Sequence, residues 1–257
     1  MEFLEFQKKI HKQFGLNLEG YKEKQLKRRI LSLMQSQGVD DFNIYFGLLV
    51  KNEEQLQKFL DKITINVSEF FRNPEIFRAL ETKLLPEILK EKPRLKIWSA
   101  ACSNGSEPYS IAIILEALTP GVRHQIDATD IDKMILETAK RGYYEERFLK
   151  NVSPERLKKF FVPEGKGFIL RDDIKNRVQF RQHDLLLDDY GRGYDLIVCR
   201  NVTIYFTNEA QDLLYRKFWE ALNPGGYLFI GATENMLRYR ELNYEKSMPW
   251  FYRKPLN

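Results

Sequence analysis

The stretch that most constrains the fold is Ile97-Trp98-Ser99-Ala100-Ala101-Cys102-Ser103-Asn104-Gly105-Ser106-Glu107-Pro108-Tyr109. Ile97 to Cys102 is a short apolar run with Pro93 upstream and polar turn residues downstream, the pattern of a buried strand. Ser103 to Ser106 supplies a turn containing one glycine. Pro108 suits a first helical turn, and the apolar run Ile111 to Leu118 continues as helix. Strand, small-residue turn and helix form the unit with which an α/β domain presents a ligand at the carboxyl end of its first strand. The same pattern also serves as a plain strand-to-helix connection, so the rest of the chain has to decide between the two.

Downstream, strand and helix patterns alternate. His124 to Asp130, Arg177 to Asp184, Tyr194 to Cys199 and Tyr227 to Ala232 read as further strands, with Pro249 to Arg253 as a last, edge strand. Met134 to Arg141 and Asn208 to Leu222 read as helices, Asp132 capping the first. Asn223-Pro224-Gly225-Gly226 is a turn. This alternation predicts an α/β fold, a mostly parallel sheet with helices on both faces. Between about 143 and 176 it is interrupted by a short helix after Ser153-Pro154-Glu155 and a hairpin around Gly165 and Gly167, read as a small antiparallel β insertion. Asp130 ends the second strand about 25 residues after Gly105, where a carboxylate can accept both ribose hydroxyls of a nucleoside.

Residues 1–63 carry no strand pattern and read as an all-helical N-terminal domain. Phe3, Phe6, Ile10 and Phe14 recur at helical spacing, and Gly15 ends that helix. Tyr21 to Gln37 is a second helix, its predicted buried stripe Leu26, Ile30, Leu31, Leu33 and Met34. Its other face carries Lys22, Lys24, Lys27, Arg28 and Arg29 against Glu23 alone. That face is either simply solvated or a dock for an acidic helix or phosphate backbone. Phe42 to Val50 and Glu53 to Ile63 complete the module. Residues 64–90 are a linker and connecting helix, the helix starting at Asn73-Pro74-Glu75 and running to about Lys90. Ile65 to Arg72 mixes amide, hydroxyl and guanidinium groups with Phe70 and Phe71. This suits a ligand site between domains, or equally two core rings with polar caps. Residues 91–257 form the α/β domain.

Forty-one Lys and Arg against thirty-six Asp and Glu give a formal charge of +5, and the sequence pI is about 9.0. Such a balance fits an acidic partner or nucleic acid and requires neither. Against nucleic acid, the cations gather on one amphipathic helix without interleaved aromatic platforms for bases. Three scattered histidines and no Cys-x-x-Cys argue against a metal site. Cys102 and Cys199 each end a predicted strand and read as reduced thiols, the start is unlike a secretory signal, and no apolar run approaches the ~20 residues of a membrane span. The expectation is a cytoplasmic protein without direct membrane insertion.

The acid after strand two, the small-residue turn after strand one and the Asn-Pro-Gly-Gly turn resemble a class I S-adenosylmethionine-dependent methyltransferase with a Rossmann-like sheet. More narrowly, Ile65-Asn66-Val67-Ser68-Glu69-Phe70-Phe71-Arg72, Trp98 to Ser103, Glu107-Pro108-Tyr109-Ser110 and Cys199-Arg200-Asn201-Val202-Thr203-Ile204-Tyr205-Phe206 resemble the chemotaxis receptor methyltransferases, the CheR family. The resemblance covers essentially the whole chain. Where that family has Thr-Gly-Glu-Glu-Pro-Tyr, this chain has Asn104-Gly105-Ser106-Glu107-Pro108-Tyr109, so one acid is missing and the one matching the cofactor contact, Glu107, is kept. Ser68 stands where threonine is common, and Asp184-Leu185 where many relatives have Asn-Leu.

The resemblance implies transfer of the methyl group of S-adenosylmethionine to glutamate side chains of methyl-accepting chemotaxis receptors, giving glutamyl methyl esters and S-adenosylhomocysteine. It implies cofactor contacts at Asn66, Ser68, Arg72, Glu107, Asp130, Asp184, Leu185, Arg200 and Asn201. Arg72 either pairs with the methionyl carboxylate or positions the incoming glutamate. Tyr205 is a candidate for lining the methyl-transfer site, with core packing beside Phe206 as the alternative. Lys24, Lys27, Arg28 and Arg29 become candidates for docking the helical bundle of a receptor, the protein acting as a monomer recruited to membrane receptor arrays. An RNA methyltransferase and a cofactor-binding regulator without activity are the competing readings.

Overall fold

The computed structural model describes residues 1–64 and 68–256. Four helices come first: α1 (Phe3–Phe14), α2 (Glu23–Ser36), α3 (Phe42–Lys51) and α4 (Glu53–Thr64). Gly15 ends α1 with φ 72, the left-handed conformation that glycine adopts without a Cβ penalty. Asp41 caps α3 by accepting from the amides of Asn43 and Ile44. The helices close on Phe6, Ile10, Ile30, Tyr45 and Phe59, all fully buried. Leu31 departs from the expected stripe. One position round from Ile30 on the helix, it is 41% exposed and borders a shallow groove with Lys24, Lys27 and Arg28.

The connecting helix is interrupted rather than continuous: α5 (Pro74–Ala79), a π-helical turn over Leu80–Leu84, then α6 (Leu85–Glu91). Pro86 lacks the N–H that an α-helix would use toward Thr82, and the widened turn absorbs the defect.

The main sheet contains β1 (Lys96–Ala100) and β2 (Gln125–Asp130), separated by α7 (Ser106–Leu118). After α8 (Lys133–Arg141) the insertion contributes β3 (Tyr143–Glu145), α9 (Glu146–Leu149), α10 (Pro154–Phe160), β4 (Phe161–Glu164), β5 (Gly167–Leu170) and α11 (Asp172–Lys175). Then come β6 (Val178–Gln182), β7 (Tyr194–Cys199), α12 (Asn208–Ala221), β8 (Leu222–Ile230), β9 (Glu245–Met248) and β10 (Phe251–Arg253). The seven-stranded order is β6-β2-β1-β7-β8-β10-β9, and the insertion forms a separate antiparallel sheet, β3-β5-β4. The first five strands are parallel, and β10 runs antiparallel to β8 and β9.

Alternation along the central strands divides the core. Ile97, Leu196, Val198, Tyr227 and Phe229 face one layer. Trp98, Ile197, Cys199, Leu228 and Ile230 face the other, as the two-residue period of a strand requires. Trp98 is fully buried, its indole N–H donates to Thr129 Oγ1 at 2.9 Å, and its ring meets those of Tyr190, Tyr194 and Phe218.

Several boundaries differ from the sequence reading. β1 stops at Ala100 because Ala101 turns to φ 61 and Ser103 to φ 51. α7 begins at Ser106, two residues before Pro108. β8 begins at Leu222, taking Asn223 to Gly226 into the strand as an irregularity opposite Tyr194 and Leu196. Most consequentially, the strand around Pro249 to Arg253 is not an edge: β10 is interior and β9 covers it. β9 reads Glu-Lys-Ser-Met and is mostly exposed. It has no apolar period to reveal it, and its charges suit an edge.

Deleting the Trp98 side chain should cost about 3–5 kcal/mol, the range for a large aromatic in a packed core. Chemical denaturation of Trp98→Ala, compared with the parent at unchanged slope, measures this. A loss within error of zero would contradict the packing described.

Candidate active site

A cavity of about 250 Å³ opens at the carboxyl ends of the parallel strands. The segments after β1, β2, β6, β7 and β8 all reach it, through Ala101 to Ser103, Asp130 with Ile131, His183 to Leu185, Arg200 to Asn201 and Thr233. The junction adds Ser68, Glu69 and Arg72, and the N-terminal helices add Tyr21, Ile63 and Thr64. One cavity therefore gathers Ser68, Arg72, Glu107, Asp130, Asp184, Leu185, Arg200, Asn201 and Tyr205. Asn66 lies outside the described residues. Ser106 is fully buried and does not line the cavity, whereas Glu107 does.

Asp130 is held by its own turn. Oδ2 accepts from the Ser103 amide at 2.8 Å and Oδ1 from the Asp132 amide at 3.1 Å. Burial pushes its pKa up to about 6 against those hydrogen bonds. The Ile131 backbone donates as well, and of the about four lone-pair sites of a carboxylate one remains for a further donor. Asp132 caps α8 through the amides of Met134 and Ile135, as expected. Asp184 spends Oδ1 on the amides of Leu186 and Leu187, and burial raises its pKa. Beside it His183 is buried, and burial lowers its pKa to about 4, so its ring is neutral at physiological pH.

Glu107 and Arg200 form a buried pair at 3.4 Å. Glu107 Oε1 also accepts from Ser99 Oγ at 2.8 Å. Arg200 Nη2 donates to the Arg72 carbonyl and to Asn73 Oδ1, both at 2.9 Å, and its guanidinium packs over Phe77 and Phe229. Burial acts against the charged form of each partner, raising the Glu107 pKa and lowering that of Arg200 despite their mutual attraction. Arg200 thus borders the cavity with much of its donor fork directed into the protein. Phe70 and Phe71 are buried: Phe70 packs on Tyr144 and Phe161 of the insertion, so these rings belong to the core.

The basic helix divides its labour. Arg29 lies over the Tyr205 ring at 4.7 Å, and Lys22 donates from Nζ to the Ile204 carbonyl and from its amide to the Tyr205 carbonyl. Lys27 lies over Phe3. Lys24 and Arg28 are exposed. Of the four docking candidates, Arg29 is thereby tied to Tyr205, and Lys24 and Arg28 remain the outward-facing cations.

Sequence reasoning missed Tyr21, Ile131, His183 and Glu234. His183 directly precedes Asp184 at a strand end, a signal that was available. Tyr21 reaches the cavity across from the helical module, bridging to Phe206. Glu234 holds the segment after β7 from more than thirty residues away, which no local pattern encodes.

Residues 66–251 match the family model described as CheR methyltransferase, SAM binding domain, and residues 1–64 match CheR methyltransferase, all-alpha domain. The chain belongs to the CheR methyltransferase family. The chemotaxis protein methyltransferase of Listeria monocytogenes is 42% identical over 98% of this chain and 97% of its own length. That of Listeria innocua is 40% identical over the same shares. The Escherichia coli protein of the same description is 34% identical, covering 88% of this chain and 81% of its own length. This CheR protein is an S-adenosylmethionine-dependent methyltransferase acting in chemotaxis.

Removing one partner of a buried ion pair strands the other charge at about 3–5 kcal/mol. Glu107→Gln should therefore lower stability by that order, measured by urea unfolding. A neutral effect would mean that the Arg200 charge is satisfied elsewhere.

Proposed function

We propose that the cavity binds S-adenosylmethionine with Asp130 on the ribose hydroxyls, and that the methyl acceptor is a glutamate side chain of a methyl-accepting chemotaxis receptor. The observation that carries the reading is Asp130. It is a buried carboxylate at the end of β2, held by the amides of Ser103 and Asp132 and by the backbone of Ile131, in the same cavity as Arg72 and Tyr205. The donor set suits the cofactor: a carboxylate for the ribose, the apolar walls of Ile63, Ile131 and Leu185 beside Asp184 for the base, and Arg72 and Glu107 for the zwitterionic amino-acid end. Asn66, Ser68, Arg200 and Asn201 are assigned to the same cofactor surface on the family resemblance.

The cofactor supplies an electrophilic methyl group on a positively charged sulfur. An acceptor carboxylate is already ionised at neutral pH, since an unperturbed glutamate has a pKa of about 4.3. The protein accordingly needs no general base. Its work is alignment of acceptor oxygen with methyl carbon and exclusion of water. Arg72 offers the guanidinium that draws in and orients the acceptor, or that holds the methionyl carboxylate. Tyr205, fixed by Arg29 and by the bond from Lys22, forms the wall beside it. Tyr21 of the helical module covers the cavity together with Phe206 of the segment after β7.

The receptor would dock on α2, where Lys24 and Arg28 face outward along a groove floored by Leu31. This reading takes the protein as a cytoplasmic monomer recruited to receptor arrays. No helix among the described residues is long and apolar enough to cross a membrane.

Asp130→Ala should weaken S-adenosylhomocysteine binding at least about tenfold, since each hydrogen bond to a charged acceptor is worth roughly 1.5–3 kcal/mol. The accepting form is the carboxylate. Affinity of the parent protein should therefore be flat above neutrality and fall as pH drops through about 6, the Asp130 pKa. The same shift acts on stability in the opposite sense. Folded Asp130 holds its proton more tightly than the ordinary value of 3.8 allows, so its burial cost disappears as pH falls from about 6 toward that value. Calorimetry across pH checks both. Undiminished binding in a folded Asp130→Ala protein would refute the cofactor assignment.

Lys24→Ala with Arg28→Ala should leave cofactor affinity unchanged. It should slow methylation of receptor-containing membranes several-fold at low salt, with the deficit shrinking as salt screens exposed charges beyond a Debye length of about 8 Å at physiological ionic strength. Wild-type rates at every salt concentration would return this face to ordinary solvated surface. Base-labile label marks the ester, and label transferred to RNA would overturn the receptor reading.

A further inference from the structure

We propose that Glu234 is a positioning residue for methyl transfer, acting through the backbone of residues 201–203. The proposal rests on the cavity being the cofactor site.

Glu234 is 6% exposed, and its carboxylate collects five donors. Oε1 accepts from the amides of Val202 at 3.0 Å and Thr203 at 2.8 Å and from Thr203 Oγ1 at 2.8 Å. Oε2 accepts from the amides of Asn201 at 2.8 Å and Gly231 at 2.6 Å. Three consecutive amides meet one side chain only where the backbone curls so that their N–H groups converge, as at the start of a helix. An anion is the natural occupant of such a concavity. Here Asn201 adopts φ 61, and a single 3-10 turn follows at Thr203–Tyr205. That curl turns Asn201, Val202, Ile204 and Tyr205 toward the cavity.

Glu234 does not itself line the cavity. Its neighbour Thr233 does. A second feature is built around the same carboxylate. A Cβ on Gly231 would stand 2.6 Å from Glu234 Oε2 and 2.8 Å from the Asn201 amide nitrogen, too close for either to remain in place. Glycine here keeps the approach open. The far end of the segment is fixed independently, by the Lys22 amide on the Tyr205 carbonyl and the bridge from Tyr21 to Phe206. Gln211 Nε2 also donates to the Thr203 and Phe206 carbonyls, and the Tyr215 hydroxyl meets Thr203 Oγ1, so the distinct task of Glu234 is to gather the Asn201, Val202 and Thr203 amides.

The test compares Glu234→Gln, which turns an amide NH₂ against a ring of donors, with Gly231→Ala, which keeps the carboxylate and displaces it. Asp195→Asn is the comparator. Asp195 is an equally buried carboxylate at the opposite end of β7, accepting from the Lys96 amide and Asn223 and pairing with Lys92, away from the cavity. S-adenosylhomocysteine affinity by calorimetry, kcat for receptor methylation and hydrogen exchange of the 201–203 amides are read well below each variant's Tm. Both cavity-side variants should lose at least about tenfold in affinity and in kcat and lose protection at those amides. Asp195→Asn, although destabilised, should keep parental affinity and kcat. Parental affinity and kcat in Glu234→Gln, or equal deficits in Asp195→Asn, would overturn the proposal. If Glu234→Gln fails to fold, Gly231→Ala decides. A loss in Asp130→Ala beside normal Glu234→Gln overturns only the positioning role, whereas normal binding in Asp130→Ala removes the cofactor reading beneath it.

Discussion

The guanidinium of Arg200 lies where four parts of the chain converge. It pairs with Glu107 at the start of α7, and through Glu107 it is linked to Ser99 of β1. It binds the turn at Arg72 and Asn73 that leads into the connecting helix. Its faces rest on Phe77 and Phe229. A buried charge is tolerable only when paired and hydrogen-bonded, so these segments hold their relative positions wherever Arg200 is satisfied. The floor of the cavity is therefore fixed by an interaction that also costs desolvation, which is why both pKa values shift in the direction that opposes charge.

The helical module also holds the wall of the cavity. Gly20 accepts from the Thr207 amide, Lys22 bonds to Ile204 and Tyr205, and Tyr21 pairs with Phe206. Arg29, one of four cations expected to dock a partner, is stacked on Tyr205. Its neighbour Arg28, on the outward side of the same helix, is exposed. One amphipathic helix thus presents charge outward and steadies an aromatic wall inward. A charge pattern in sequence cannot separate these roles, because both need only a cation on a helix.

Elements that bury alternate residues were legible in the sequence. β7 was placed residue for residue because all its side chains are buried and all but Asp195 enter one of two core layers, and Asp130 was visible as an acid ending such a strand. β9 was invisible because its polar, exposed residues carry no period. The π turn at Leu80–Leu84 was hidden by good helix formers, although Pro86 marked the defect. The site divided along the same line. Residues on contiguous motifs, such as Arg72, Glu107 and Asn201, line one cavity. Tyr21 reaches it, and Glu234 holds the backbone of its wall, through contacts distant in sequence, which leave no local trace.

The strand order near β8 bears on how long the cavity survives. β10 follows β9 in the chain, yet it is β10 that pairs with β8. The loop bearing Thr233 and Glu234 is therefore pinned at both ends by the outermost hairpin of the sheet, and the Ile230 amide reaches across it to the Trp250 carbonyl. Such margins open by local fluctuation more readily than central strands. When this hairpin frays, the ring of donors around Glu234 opens with it while the middle of the sheet stays intact. Local opening at the rim thus lowers the fraction of molecules with an intact cavity wall without unfolding the sheet.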